Sequence, residues 1–394
     1  MSDFKSDLWG RLADRYRNEQ PRRMLSLDGG GIRGLITARA LVKLEGILAD
    51  HTGRGPDFRL CEFFDYVGGT STGAIIAAGI AKGMSATEIL DFYREFGREV
   101  FTKRSIFKRW RSLYANGQLE KKLKQVFGES TTLRPDHLKT LLLVVTRNKT
   151  TDSAWPISSN PAAIFNNPGS HPSFPASEPS NLDFPLYKLV RASTAAPVYF
   201  PPEVIEVGAD RESYVFVDGG TTPYNNPAFL MYRMATEPSY RLGWTPGESN
   251  LLIVSLGTGS APVLGTGADD AETNLLEAAT NTLSSVMSQT LVDQDMNCRT
   301  IGRCSYGAPM DLEVGDLVPR DSNGKPLPLS NDLGRQFLYA RYNAELTTDW
   351  LTEHGLADID PETVSKLDST EGMDELERIG EKVGELIDAV HFGL

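Results

Sequence analysis

Cysteine is scarce in this chain: three in 394 residues, Cys61, Cys298 and Cys304. So sparse and odd a set cannot build a disulfide framework and suits a reducing compartment. Cys298 and Cys304 lack metal-ligand spacing and nearby histidines, so buried, idle thiols are expected and no metal is implied. Positive charge is also short, with 40 Lys and Arg against 52 Asp and Glu, a net charge of -12. Such a surface repels polyphosphates, so no nucleic-acid partner is expected, and contact with an anionic membrane must be local. Long hydrophobic runs are missing. The most apolar windows, such as AIIAAGIA, fall far short of the ~20 residues of a membrane span. The first stretch, MSDFKSDLWGRLADRYRNEQ, mixes charges among its apolar residues and offers no small-residue cleavage site. It therefore reads as an amphipathic helix over 1–20 and not as a secretory signal.

What is present is an ordinary globular composition, 40% hydrophobic and 23% charged. Apolar strands are expected at 24–27, 63–69, 140–147 and 250–259, with helices after the first two, over 34–49 and from 72 onward. Strands this uniformly apolar, separated by helical stretches, indicate a mostly parallel sheet covered on both faces, an α/β fold. The Pro-, Ser- and Asn-rich stretch 148–182 reads as an irregular surface excursion. No repeat or clean linker divides the chain. A catalytic core over 21–260 and a mainly helical elaboration over 261–394, packed on the same domain, are expected.

In FFDYVGGTSTGAIIA, Gly69-Thr70-Ser71-Thr72-Gly73 forms a G-x-S-x-G element after a strand and before a small-residue helix. A nucleophile elbow needs this context: the sharp turn thrusts the serine hydroxyl outward, and Gly69 and Gly73 avoid clashes. An ordinary Gly/Ser turn is the competing reading. A nucleophilic serine also needs donors for its oxyanion, and Gly29-Gly30-Gly31-Ile32-Arg33-Gly34, at another strand-to-helix turn, offers converging backbone amides. Arg33 adds a charge that can lock the loop or face a phosphate. The same residues match G-x-G-x-x-G, the dinucleotide fingerprint, but the next strand ends in Gly68-Gly69 and the serine turn, not in a ribose-binding acid.

For the base, His51, His137, His171, His354 and His391 all lie in settings that suit solvated or capping roles; His391 stays open as a triad member. Asp218 does better. It ends an alternating strand over 214–217 and is followed by Gly219 and Gly220, which leave room for a partner side chain. An ordinary Asp is less basic than His by about 2.6 pK units, and burial recovers part of that deficit. A capping Asp-Gly turn is the alternative.

Taken in order, DGGGIRG, GGTSTG, RASTAAPVYFPP and VDGGTTPYNNP resemble the patatin-like phospholipases, over about 24–259. The resemblance implies a three-layer α/β/α fold and hydrolysis of lipid acyl esters by a Ser-Asp dyad, without histidine, metal or cofactor. Carried over, it makes Ser71 the nucleophile, Asp218 the base, and Gly29, Gly30 and Gly31 with Arg33 the oxyanion site. No chemical role for 191–197 follows from the residues. Some bacterial enzymes of this kind are antiphage effectors switched on by a cyclic nucleotide, so the resemblance makes such a nucleotide a candidate activator, with a housekeeping or secreted-effector lipase as the competing reading. The implied substrate is a phospholipid bilayer, met from the cytoplasm at the inner face of the membrane. A homo-oligomer is a further candidate.

The stretch FTKRSIFKRWRSLY at 101–114 interleaves Lys103, Arg104 and Arg109 with Phe107 and Trp110. Aromatics that enter the headgroup layer beside cations that hold phosphates suit an interfacial segment, and a phosphate-rich activator or a capped core suits the same pattern. Three function classes remain: lipid acyl hydrolase, nucleotide-binding oxidoreductase, and non-catalytic binding module.

Overall fold

The computed structural model describes residues 6–100, 114–197, 200–261, 275–330, 333–368 and 370–394. The middle layer is a nine-stranded sheet. Its strands are β1 (Arg22–Leu27), β2 (Tyr66–Thr70), β3 (Leu141–Asn148), β4 (Ser153–Ser158), β5 (Glu203–Val207), β6 (Glu212–Asp218), β7 (Leu251–Leu256), β8 (Arg303–Tyr306) and β9 (Leu338–Tyr342). The spatial order is β5-β6-β3-β2-β1-β7-β9-β8, with β4 also paired to β3. From β3 to β8 the neighbours are parallel, and β4, β5 and β6 join antiparallel.

Successive residues of an apolar strand face opposite sides, so each strand feeds two cores. Leu25, Leu27, Val67, Val144 and Val254 enter one. Met24, Tyr66, Val145, Ile253 and Tyr339 enter the other. The first is covered by α1 (Gly34–Thr52), α2 (Thr72–Lys82), α3 (Ala86–Val100), α4 (Tyr114–Phe127), α5 (Leu186–Ser193) and, from the C-terminal third, α8 (Met373–Glu385). The second is covered by the N-terminal segment, through Trp9, Leu12 and Tyr16, by α6 (Ala228–Thr236) and by α7 (Leu275–Ile301). The result is the three-layer α/β/α arrangement that the apolar strands imply.

Four details depart from the sequence reading. The second strand starts at Tyr66, because Leu60–Phe63 closes a helical turn that tucks Phe63 and Phe64 edge to face. The 148–182 stretch is not wholly irregular: β4 returns along β3, with Trp155 packed on Tyr214 and Phe216. The N-terminal segment is not one helix, since Gly10, at φ 45°, lies in a 3-10 turn between two short helices. The C-terminal third is not only helical. Its β8 and β9 extend the sheet beyond β7, and their short, mixed sequences RCSY and LYARY carry little strand signal. Among the described residues no helix is long and apolar enough to cross a membrane.

Candidate active site

Thr70 pairs with Val145, and the next β3 residue, Thr146, pairs with Asp218. Since β4 occupies the opposite edge of β3 there, β6 takes over the edge that β2 vacates at its end. The last residue of β6 therefore meets the turn that follows β2. The Ser71 hydroxyl donates to Asp218 Oδ2 at 2.6 Å, with both residues buried.

Ser71 sits at φ 53°, ψ -119°. A side-chain-bearing residue held there costs about 1–3 kcal/mol. The elbow is held by close packing on both sides. A Cβ at Gly69 would run into the backbone of Gly73, and one at Gly73 into the carbonyl of Leu27. Ser193, at the end of α5, bridges the turn to the sheet: its hydroxyl accepts from the Ser71 amide at 2.9 Å and donates to the Val145 carbonyl at 2.6 Å.

Asp218 Oδ1 accepts from the Gly220 amide at 2.7 Å, and its own amide donates to the Ala195 carbonyl at 3.0 Å. Burial pushes its pKa from 3.8 up to about 6, against the opposing pull of the Ser71 and Gly220 hydrogen bonds and of the Arg191 charge. Gly219 is required by contact, since a Cβ there would run into the Val145 carbonyl. Met287, from α7, reaches the Gly220 side of the turn.

The glycine turn lies beside the serine. A Cβ built on Gly29 would stand 3.3 Å from Ser71 Cβ. Its three amides are not equivalent, however. Gly29 N–H donates to the Asn225 carbonyl at 3.1 Å, which removes Gly29 from the expected oxyanion donors. The amides of Gly30 and Gly31 donate to no atom among the described residues. The Gly31 carbonyl accepts from the Thr72 hydroxyl at 2.8 Å and from Tyr93, which ties the turn to the head of α2. Arg33 is buried. Burial lowers its pKa to about 10 against the pull of Asp28, and its Nε has no hydrogen-bond partner among the described residues. No contact from its side chain to the dyad is among those described.

Of the remaining candidates, Lys103, Arg104, Phe107, Arg109 and Trp110 lie outside the described residues. None of the five histidines bonds to Ser71 or Asp218. His391 pairs with the Tyr342 hydroxyl at 2.9 Å and stacks on Tyr306, with burial lowering its pKa. The Nδ1 of His354, His137 and His171 is taken up locally, by Trp350, Thr132 and Ser173, and His51 is exposed in the last turn of α1. The three thiols are free and buried. Sequence reasoning missed Ser193, whose only signal was its place in RASTAAP, and the pairing of Asp28 with Arg341, 313 residues apart.

The fold and the elbow define a class: a three-layer α/β protein with a serine on a strained strand-to-helix turn, facing a buried carboxylate beside a glycine turn. A family model described as patatin-like phospholipase matches residues 25–232, just over half the chain, and the chain belongs to that family. Patatin-2-Kuras 4 of Solanum tuberosum is 31% identical over 253 residues, covering 60% of this chain and 62% of that protein. Patatin-17 of Solanum cardiophyllum is 31% identical over 254 residues, 60% of each. The chain thus spans about three fifths of the length of these curated relatives. Among solved structures, VipD from Legionella pneumophila aligns at TM-score 0.35 and 13% identity, covering 92% of this chain and 67% of that one. Human GIVD cytosolic phospholipase A2 aligns at TM-score 0.37 and 14% identity, covering 96% and 61%.

Proposed function

We propose that this protein is a lipid acyl hydrolase of phospholipase A type, acting on acyl esters of membrane phospholipids through a Ser71–Asp218 dyad. The observation that carries this reading is the 2.6 Å hydrogen bond from Ser71, on its strained elbow, to the buried Asp218 carboxylate. Burial raises the Asp218 carboxyl to about 6, toward histidine's ordinary range, which recovers much of the basicity that an ordinary aspartate lacks.

The chemistry follows from the geometry. Ser71 Oγ attacks the ester carbonyl carbon and passes its proton to Asp218 Oδ2. The carbonyl oxygen becomes an oxyanion, which the amides of Gly30 and Gly31 receive. Collapse expels the glycerol oxygen, which takes the proton from Asp218 and leaves a lysolipid. Water, deprotonated by Asp218, then attacks the acyl-serine carbonyl; collapse breaks the bond to Ser71 Oγ, which takes the proton back from Asp218, and the fatty acid leaves. Segment 101–114 is the proposed contact with the lipid surface, on the inner face of the membrane, through Lys103, Arg104 and Arg109 for phosphates and Phe107 and Trp110 for the headgroup layer. Activation by a cyclic nucleotide and a role in antiviral defence rest on the resemblance, and self-association is a separate candidate.

The dinucleotide reading of the turn has less support. A Cβ at Gly31, the second glycine of that fingerprint, would run into the Leu367 carbonyl, so this chain's own backbone accounts for that glycine without a bound pyrophosphate. The deciding experiment is hydrolysis of a short-chain acyl ester and of phosphatidylcholine vesicles by wild type and Ser71→Ala. Loss of both activities in a folded Ser71→Ala protein is expected, and near wild-type turnover would sink the mechanism.

A further inference from the structure

The glycine turn is anchored from a part of the chain that lies beyond the family match. Asp28, the residue before Gly29, is 1% exposed, and its carboxylate is gripped at both oxygens by the guanidinium of Arg341, Nη1 to Oδ1 at 2.9 Å and Nη2 to Oδ2. Arg341 lies on β9 and is itself buried. It reaches Asp28 across the intervening strand: Arg341 pairs in register with Ser255 of β7, which in turn pairs with Ser26 of β1, and Nη1 also donates to Ser255 Oγ at 2.7 Å. A fork held at both ends fixes direction as well as distance. The far side of the turn is fixed from the same third of the chain, where the Leu367 carbonyl accepts from Ile32 N–H at 2.9 Å. Between these two anchors lie Gly30 and Gly31, whose amides donate to no atom among the described residues.

We propose that Arg341 is a positioning residue that aims the Gly30 and Gly31 amides at the reacting oxygen by holding Asp28, so that the C-terminal third completes the site. The inference rests on the reading of those amides as oxyanion donors. Donors of this kind act only when pre-aimed at the place where charge develops, so misaiming them slows the chemical step and leaves ground-state binding nearly intact. A merely structural ion pair would affect folding alone.

Arg341→Met by itself strands a buried carboxylate, so the informative protein is the double variant Asp28→Asn/Arg341→Met, which removes both charges. Kinetics on a soluble acyl ester, with circular dichroism for folding, should give kcat lowered roughly a hundredfold and KM within about threefold of wild type. Arg341→Lys, which keeps the charge but not the fork, should fall between. A folded double variant with wild-type kcat, or one whose KM rises as far as kcat falls, would overturn the proposal. If the double variant does not fold, Arg341→Lys decides: a lower kcat at unchanged KM supports positioning, and unchanged kcat overturns it. Ser71→Ala separates the two readings. Full activity there removes the dyad itself, whereas an inactive Ser71→Ala beside a fully active Arg341 variant removes only the positioning role.

Discussion

Replacing Asp218 by Asn should abolish activity and at the same time stabilise the protein, with a pH dependence that identifies the cause. A carboxyl whose pKa is raised on folding, here from 3.8 to about 6, favours the folded state below its unfolded value, and that contribution is lost as pH rises through about 6. At neutral pH and above, the buried carboxylate is therefore a burden on the fold. Two-state linkage puts the burden at about 3 kcal/mol at pH 8, as an order of magnitude, roughly halved at pH 5 and nearly gone by pH 4. The Asn amide keeps the shape and can still accept from the Gly220 amide that Oδ1 engages at 2.7 Å. With an unfolding entropy of about 2.1 cal/mol/K per residue, 3 kcal/mol in a 394-residue chain is about 3–4 °C in Tm. Calorimetry of wild type and Asp218→Asn at pH 8, 5 and 4 should show the variant melting higher at pH 8, with the gap closing on acidification. The wild-type kcat/KM should fall as the pH drops below about 6, because the protonated acid cannot accept the serine proton. A variant that melts at or below the wild-type temperature at pH 8, or whose advantage does not change with pH, would refute the reasoning.

Ser193→Ala removes the hydroxyl that joins the Ser71 amide to the Val145 carbonyl; a loss of about 1–3 kcal/mol in chemical denaturation and a kcat at least tenfold lower are expected, and an unaffected kcat would show that the elbow holds itself. His391→Ala should lower thermal stability through the lost Tyr342 and Tyr306 contacts yet keep most of kcat in the folded protein, and a loss as complete as that of Ser71→Ala would make the chain a triad hydrolase. Replacing Phe107 and Trp110 by Ala should weaken vesicle binding by sedimentation, and slow phospholipid hydrolysis more than soluble-ester hydrolysis; equal losses on both substrates would make the segment structural.

The parts of the fold that were legible in the sequence are those whose cause is local. Apolar runs at 24–27, interrupted only by Ser26, and at 141–145 leave no solvated face, so a buried parallel sheet follows from them directly. The glycines around Ser71 were readable for a similar reason, because each stands where backbone crosses backbone, Gly69 against Gly73 and Gly73 against Leu27. What stayed hidden depends on partners distant in sequence. RCSY and LYARY become strands through neighbours already in the sheet, a tertiary context that overrides weak local preference. The inequality of Gly29, Gly30 and Gly31 could not be read from a run of identical residues, since it arises from Asn225, 196 positions beyond Gly29, whose carbonyl takes up one amide.

The elbow also explains why the neighbouring motifs occur together. A strained serine persists only where its surroundings leave the backbone no alternative, and here each constraint comes from a different element. β1 presents the Leu27 carbonyl against Gly73, α5 supplies Ser193 to the Ser71 amide, and β6 brings Asp218 to the hydroxyl. The RASTAAP segment, which suggested no chemistry as sequence, serves both members of the dyad: Ser193 holds the serine backbone, and the Ala195 carbonyl accepts from the Asp218 amide at 3.0 Å. The end of α5 and the residues just after it thus hold the backbones of both Ser71 and Asp218. The glycine turn has further anchors of its own in Asn225, Arg341 and Leu367, and the Thr72 hydroxyl on the Gly31 carbonyl joins it to the elbow. Ser71 and Asp218 are thus held from the end of α5 and the segment after it, and the Gly30–Gly31 turn largely from Asn225 and the C-terminal third; on the proposed mechanism, the register between the two sets how well an oxyanion formed at Ser71 would meet the Gly30 and Gly31 amides.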